Sequence, residues 1–295
     1  MVKLFPAVWL LLSAVGLLGG CERTPRPNPH YVLGEAYEAG GVWWYPRESQ
    51  DLDETGLAAV YPDEHAGLTT DGEAFTQHAL AAAHPTIQLP AIARLTNLQT
   101  GRSLLVRIND RGTPTPHRLV QVTQRVAMLL GMQPDGVAQV RLTLLGGPSE
   151  AAEQQAGGGP HLPIAAAPRR AVASASLAPP LGVREESGHR LPPAARAAAP
   201  VAAEDVPVQL PERVTQVAPA PGRLWVRLGR FQSYQYAAIE QARLARLGAH
   251  IEKRSPAEAQ AFQVVIGPLG GVAAADAVLD QAIRAGAADA RIVVK

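Results

Sequence analysis

The chain has 295 residues, a formal charge of +1 and an apolar fraction of 47%. That length suits about two domains, and the apolar share is that of ordinary globular protein. A charge so near zero offers no basic excess to neutralise a row of phosphates, so nucleic acid is set aside as a partner. Aromatic residues make up only 5%, against 27 Gly and 26 Pro, which predicts that part of the chain is linker rather than core.

Met1 to Gly20 has the pattern of a secretory signal. Lys3 is a short positive region, and the apolar run from Trp9-Leu10-Leu11-Leu12 to Leu18 is too short to cross a bilayer comfortably. The run closes on Leu18-Gly19-Gly20-Cys21, which resembles a bacterial lipobox. The resemblance makes Cys21 the lipid attachment point, and Glu22, in place of a retention Asp, points to the outer membrane. Cys21 is the only cysteine, so no intramolecular disulfide exists. Acyl chains on that residue would anchor stably, at roughly 0.8 kcal/mol per buried methylene. Residues 21–52 are expected to form a lipid-anchored extension. Its Trp43-Trp44-Tyr45-Pro46 run either packs the extension onto the following domain or touches glycan or lipid.

Residues 53–146 hold short strands punctuated by Gly, Pro and Asn, the texture of a small barrel. The run Ala91 to Asn97, a turn at Gln99-Thr100-Gly101 and the run Ser103 to Gly112 predict a hairpin. Its second arm ends on Asp110, flanked in sequence by Arg107 and Arg111. His65, His78 and His84 show no spacing that fixes a metal, no cofactor is expected, and neither a nucleophile elbow nor a phosphate loop occurs.

Arg107-Ile108-Asn109-Asp110-Arg111-Gly112 resembles the most recognisable motif of the rare lipoprotein A (RlpA) family. Gly56-Leu57-Ala58-Ala59-Val60-Tyr61 resembles that family's Gly-Ile-Ala-Ser-Trp-Tyr. Thr70-Asp71-Gly72-Glu73-Ala74-Phe75 is similar to its Thr-Ala-Asn-Gly-Glu stretch, and Leu80-Ala81-Ala82-Ala83-His84 to its Leu-Thr-Ala-Ala-His. The resemblance implies a six-stranded double-psi β-barrel and lytic cleavage of naked glycan to 1,6-anhydro ends. It makes Asp110 the catalytic acid, then base, with Glu73 and His84 as polar groove residues beside it. Adjacent positive charge would oppose an acid role by favouring the carboxylate. Strand alternation, however, sends Arg107 and Asp110 to opposite faces. The chain departs from the family at Thr76 and Gln121, where Asp is usual, and at Val60, where Trp is usual.

Residues 147–220 are rich in Ala and Pro and predict a disordered linker with no core, reaching on the order of 200 Å if stiff and about 50 Å as a coil. Such reach would let two modules work apart. From 221 to 295 the pattern is βαββαβ: Leu224 to Leu228, a helix from Tyr234 to Leu247 stopped by Gly248, a strand from Ala249, a strand Phe262 to Ile266 closed by Gly267-Pro268, a second helix, and Arg291 to Val294. This order predicts a separate α+β, ferredoxin-like domain with one sheet face free for a ligand. Leu228-Gly229-Arg230-Phe231 and Ile266-Gly267-Pro268-Leu269 resemble the SPOR family, which implies binding of stem-peptide-free glycan strands. Trp225, Arg227 and Tyr234 are the candidate glycan contacts.

The whole predicts a lipid-anchored septal peptidoglycan transglycosylase. The alternatives are a glycan-binding lipoprotein with a degenerate barrel, or a tether between membrane and wall. Oligomeric state is left open.

Overall fold

The structure is a computed structural model describing residues 26–62, 65–133, 136–157, 210–253 and 262–295. The signal, Cys21 and most of the Ala/Pro-rich stretch lie outside the described residues.

The N-terminal extension forms a hairpin of β1 (Tyr37–Ala39) and β2 (Val42–Trp44). Tyr37 donates to the Pro85 carbonyl at 2.8 Å, which ties the hairpin to the next domain. Val42 is buried, but Trp43 is 56% exposed, so only part of the aromatic run packs.

Next come β3 (Asp53–Val60), β4 (Ala81–Ala83), β5 (Ala91–Asn97), β6 (Arg102–Asp110), β7 (Val120–Val122), α1 (Gln124–Leu130) and β8 (Val137–Leu144). Their sheet runs β4-β7-β3-β8-β5-β6, and β6 pairs back onto β4, closing the six-stranded double-psi barrel that the family resemblance implies. The β3–β7 and β4–β6 pairings are parallel; the other four are antiparallel. Alternation fills the interior: Leu104, Val106 and Ile108 of β6 meet Ala93 and Leu95 of β5 and Val140 and Leu142 of β8. Thr123 caps α1 by accepting from the Val126 amide, and Gly131 ends it in the left-handed region.

The linker expectation needs correction at both ends. Residues 146–155 form α2 (Gly146–Gln155), docked on β5 through Ser149, whose Oγ accepts from the Ile92 amide at 2.9 Å. The run Ser149 to Gln155 contains good helix formers, and burying Ala152 supplies the tertiary contact that composition alone does not reveal. At the other end, β9 (Thr215–Gln216) adds to the edge of β6.

The C-terminal unit has β10 (Leu224–Phe231), α3 (Tyr234–Arg243), a 3-10 turn Ala245–Leu247, β11 (His250–Lys253), β12 (Phe262–Leu269), α4 (Val272–Arg284) and β13 (Arg291–Val294). The predicted βαββαβ order holds, in an antiparallel sheet β11-β12-β10-β13. Leu224, Val226 and Leu228 pack with Ala275, Leu279 and Ala282 of α4 on the helical face. Gly267, at φ +145°, lies against Trp225, where a Cβ would fall 2.8 Å from the indole.

This unit is docked on the barrel, so the separation that the linker would permit is not used here. Thr55 Oγ1 donates to the Val294 carbonyl at 2.7 Å. Gln139 exchanges two 3.0 Å hydrogen bonds with the Gly222 backbone. Leu57 is fully buried within the C-terminal core, with Leu98 and Val137 beside it. Gly56 lies at this junction: a Cβ there would fall 2.7 Å from Leu119 Cβ within the barrel and 3.4 Å from the Ile292 carbonyl oxygen of the C-terminal unit.

Candidate active site at the barrel rim

The end of β6 is crossed by the segment Thr69 to Glu73, which holds both of its sides. Arg107 and Asn109 share one face. The Arg107 Nε donates to Glu73 Oε1 at 2.7 Å and Asn109 Nδ2 to Glu73 Oε2 at 2.8 Å. These residues, with Thr76, His78 and Leu210, line a groove of about 390 Å³, a volume in the ordinary range of ligand sites.

Asp110 continues the inward row of Leu104, Val106 and Ile108 and ends it at the rim, across the Thr69–Glu73 segment from that groove. Its Oδ1 accepts from the Thr70 amide at 2.9 Å, the Thr70 hydroxyl at 2.6 Å and the Arg111 amide at 2.8 Å; its Oδ2 accepts from Tyr61 at 3.0 Å. Burial, then the Asp110 charge, raises the Tyr61 pKa, so this phenol stays protonated and donates. His65 Nε2 lies 3.3 Å from Oδ2. Tyr61, His65 and Phe75 form a ring cluster over the carboxylate, with centroids 4.4 to 5.0 Å apart.

Neither flanking arginine pairs with Asp110. Arg107 goes to Glu73, and the Arg111 guanidinium donates to the carbonyls of Leu33, His84 and Ile87. The opposite faces predicted for Arg107 and Asp110 are those observed.

Of the three expected groove residues, two meet at this segment and His84 does not. The His84 amide donates to the Asp110 carbonyl at 3.0 Å, but its ring turns away, and Nδ1 accepts from the amides of Thr86 and Ile87. Burial pushes its pKa down to about 3, so the imidazole is neutral and holds a turn. Sequence reasoning missed Tyr61, Thr70 and His65 as Asp110's neighbours. For His65 the available signal was its place in the loop between two matched motifs. Gln121, one of the departures, is structural here: its Oε1 accepts from the Thr113 amide at 2.7 Å and steadies the exit from β6.

The expected glycan contacts divide. Trp225, on the interior strand β10, lies 4.8 Å from Lys295 Nζ and edge-on to His250. Tyr234 is 58% exposed. Arg227 requires correction: it is buried, with its guanidinium 3.3 Å from Glu54 of the barrel. The sheet face predicted to be free is partly covered by strand β3.

Residues 53–142 match the family model described as "Lytic transglycolase". A protein named endolytic peptidoglycan transglycosylase RlpA from Rickettsia bellii is 30% identical over 166 residues, covering 48% of this chain and 73% of that one. The chain belongs to the RlpA family. The Pseudomonas aeruginosa RlpA is 30% identical over 229 residues, 76% of this chain and 63% of the relative, so the chain spans under two thirds of that protein's length. The Yersinia pestis RlpA is 38% identical over 113 residues, 37% of this chain and 31% of the relative.

Proposed function

We propose that this RlpA-family chain is a peptidoglycan lytic transglycosylase that cleaves stem-peptide-free glycan strands and leaves 1,6-anhydro ends. Cys21 anchors it at the periplasmic face of the outer membrane, and the C-terminal unit, taken as a SPOR domain, brings it to denuded glycan at the septum. The observation that carries the activity is Asp110. It is held at the barrel rim by neutral hydroxyl and amide donors, with both neighbouring guanidinium groups directed elsewhere. With no arginine pairing it, the carboxylate is not locked into an ion pair and can take part, directly or through a neighbouring group, in acid–base work on a glycosidic bond. The groove beside it, lined by Glu73, Arg107 and Asn109, supplies polar contacts for a sugar chain.

The test is incubation with amidase-treated peptidoglycan and mass analysis for anhydro-ended fragments. Wild type yields them, and Asp110→Asn lowers the yield by about 10²- to 10⁴-fold. A second reading, a glycan-binding protein with an inactive barrel, is favoured by the 7% exposure of the Asp110 side chain. Absence of product from wild type, with denuded glycan still bound, selects it. Trp225 and Tyr234 remain the candidate glycan contacts of the C-terminal unit. Replacing both with Ala is expected to weaken its retention on denuded glycan, and unchanged retention removes them from that role.

A further inference from the structure

Asp110 itself is poorly placed to reach a substrate. Four donors occupy its oxygens, and only 7% of its side chain is exposed. His65 has the complementary placement. Its Nε2 is buried, faces Asp110 Oδ2 at 3.3 Å without a formed hydrogen bond, and has no other partner among the described residues, yet 24% of its side chain is exposed. The accessible part therefore lies elsewhere on the ring, and Nδ1 is the nitrogen left for a substrate. Phe75 packs edge-on at 4.4 Å and Tyr61 lies at 4.7 Å, fixing the plane of the imidazole. A buried carboxylate within reach of one ring nitrogen, with the second nitrogen not held by it, is a placement from which a small ring shift gives the pair in which an aspartate orients a histidine and stabilises the imidazolium that forms.

We infer that His65 is the catalytic residue that carries the proton in the lytic reaction, and that Asp110 is its positioning residue; this rests on the transglycosylase reading above. The Nδ1 proton passes to the bridging glycosidic oxygen as its bond to C1 breaks, the bond pair leaving with the oxygen. The C6 hydroxyl oxygen then closes on C1 and gives its proton to Nδ1, restoring the imidazolium. No proton is gained or lost overall, and nothing is oxidised or reduced. The departing oxygen and the C6 hydroxyl lie on the same face of the sugar ring, so one nitrogen serves both steps.

The test uses the full-length protein in detergent with two substrates: amidase-treated peptidoglycan, and a muramyl glycoside whose leaving group is 4-nitrophenolate and needs no protonation. His65→Gln is expected to lower the rate on peptidoglycan by about 100-fold or more, and to lose at least ten times less on the nitrophenyl substrate. Asp110→Asn follows the same split, because it acts through the ring. Activity retained on the activated substrate also shows that the variant is folded. His65→Gln within about threefold of wild type on peptidoglycan, or an equal loss on both substrates, overturns the assignment while leaving the transglycosylase reading intact. Wild type that yields no anhydro product overturns the transglycosylase reading itself.

Discussion

Two carboxylates of the barrel, Asp110 at the rim and Glu54 at the domain junction, are both buried and both hydrogen-bonded, yet their neighbours give them opposite uses. Glu54, near the start of β3, faces Arg227 and Arg291 at 3.3 Å and Arg230 at 3.8 Å, all from the C-terminal unit. Burial alone would raise its pKa, but Arg291 and Arg227 outweigh that and hold it below the usual carboxylate range. Asp110 meets hydroxyls, amides and one imidazole, although two arginines flank it in sequence. Guanidinium groups remove a carboxylate from chemistry and turn it into a fastener. Neutral donors fix its position and leave its charge available to a neighbouring histidine. The contrast also explains why Arg227 offers no glycan contact here: its charge is engaged by the barrel.

The largest effect expected from breaking that contrast comes from Glu54→Gln. Removing one partner of a buried ion cluster leaves cations uncompensated, at a cost of about 3–5 kcal/mol. Thermal melting and proteolytic cutting between residues 210 and 223 should report an undocked C-terminal unit, while the rate on short glycan fragments stays within about twofold, the change expected when no group of the reaction is touched. Because the folded pKa of Glu54 lies below its unfolded value, its contribution is present above the unfolded pKa and fades as pH falls through the folded one. Acidification should therefore undock wild type and leave Glu54→Gln unaffected. Unchanged melting in the variant at neutral pH would mean that the arginine cluster fastens nothing.

A smaller effect sharpens the comparison at the rim. Asp71, two residues before Glu73, is fully buried with Oδ2 unpartnered, and burial pushes its pKa up to about 6. A raised folded pKa means that the protonated form fits best. Stability is full below about pH 4 and is lost as pH rises through about 6, which amounts to about 1–3 kcal/mol above neutrality. Asp71→Asn, the residue of the RlpA-type motif at this place, should stabilise the protein at pH 8 by that amount and do nothing at pH 4. Equal melting temperatures for the two proteins at pH 8 would show that the carboxylate is relieved in another way.

The hairpin from Ala91 to Asp110 and the βαββαβ order were legible because period-two alternation and Gly stops act locally. The site was half legible. Motif matching brought Asp110 and Glu73 forward, but it selected His84 over His65, since a motif carries no information about where a ring turns. His84 meets the backbone of its own turn, whereas His65 reaches Asp110 across 45 residues of chain. Arg227 misled for the same reason. Its strand and face were predictable, but its counter-charge comes from Glu54, 173 positions away. Helix α2 was hidden because its stability comes from docking on β5, a contact that no local propensity encodes.

The smallest effect lies at the edge of the same junction. Arg118 of the barrel grips Asp276 of α4 with two hydrogen bonds, at 2.8 and 3.2 Å, in a geometry better than that of any arginine on Glu54. Distance alone would make it the stronger fastener. Exposure argues the reverse, since the two side chains are 20% and 28% exposed and their attraction is screened by water and salt. Arg118→Ala, Asp276→Ala and the double variant should therefore give a coupling of about 0–1 kcal/mol that shrinks further at 1 M salt. A coupling as large as the loss from Glu54→Gln would mean that the junction is held at its rim and not at its buried centre, and the comparison with Asp110 would have to rest on hydrogen-bond geometry instead of on burial.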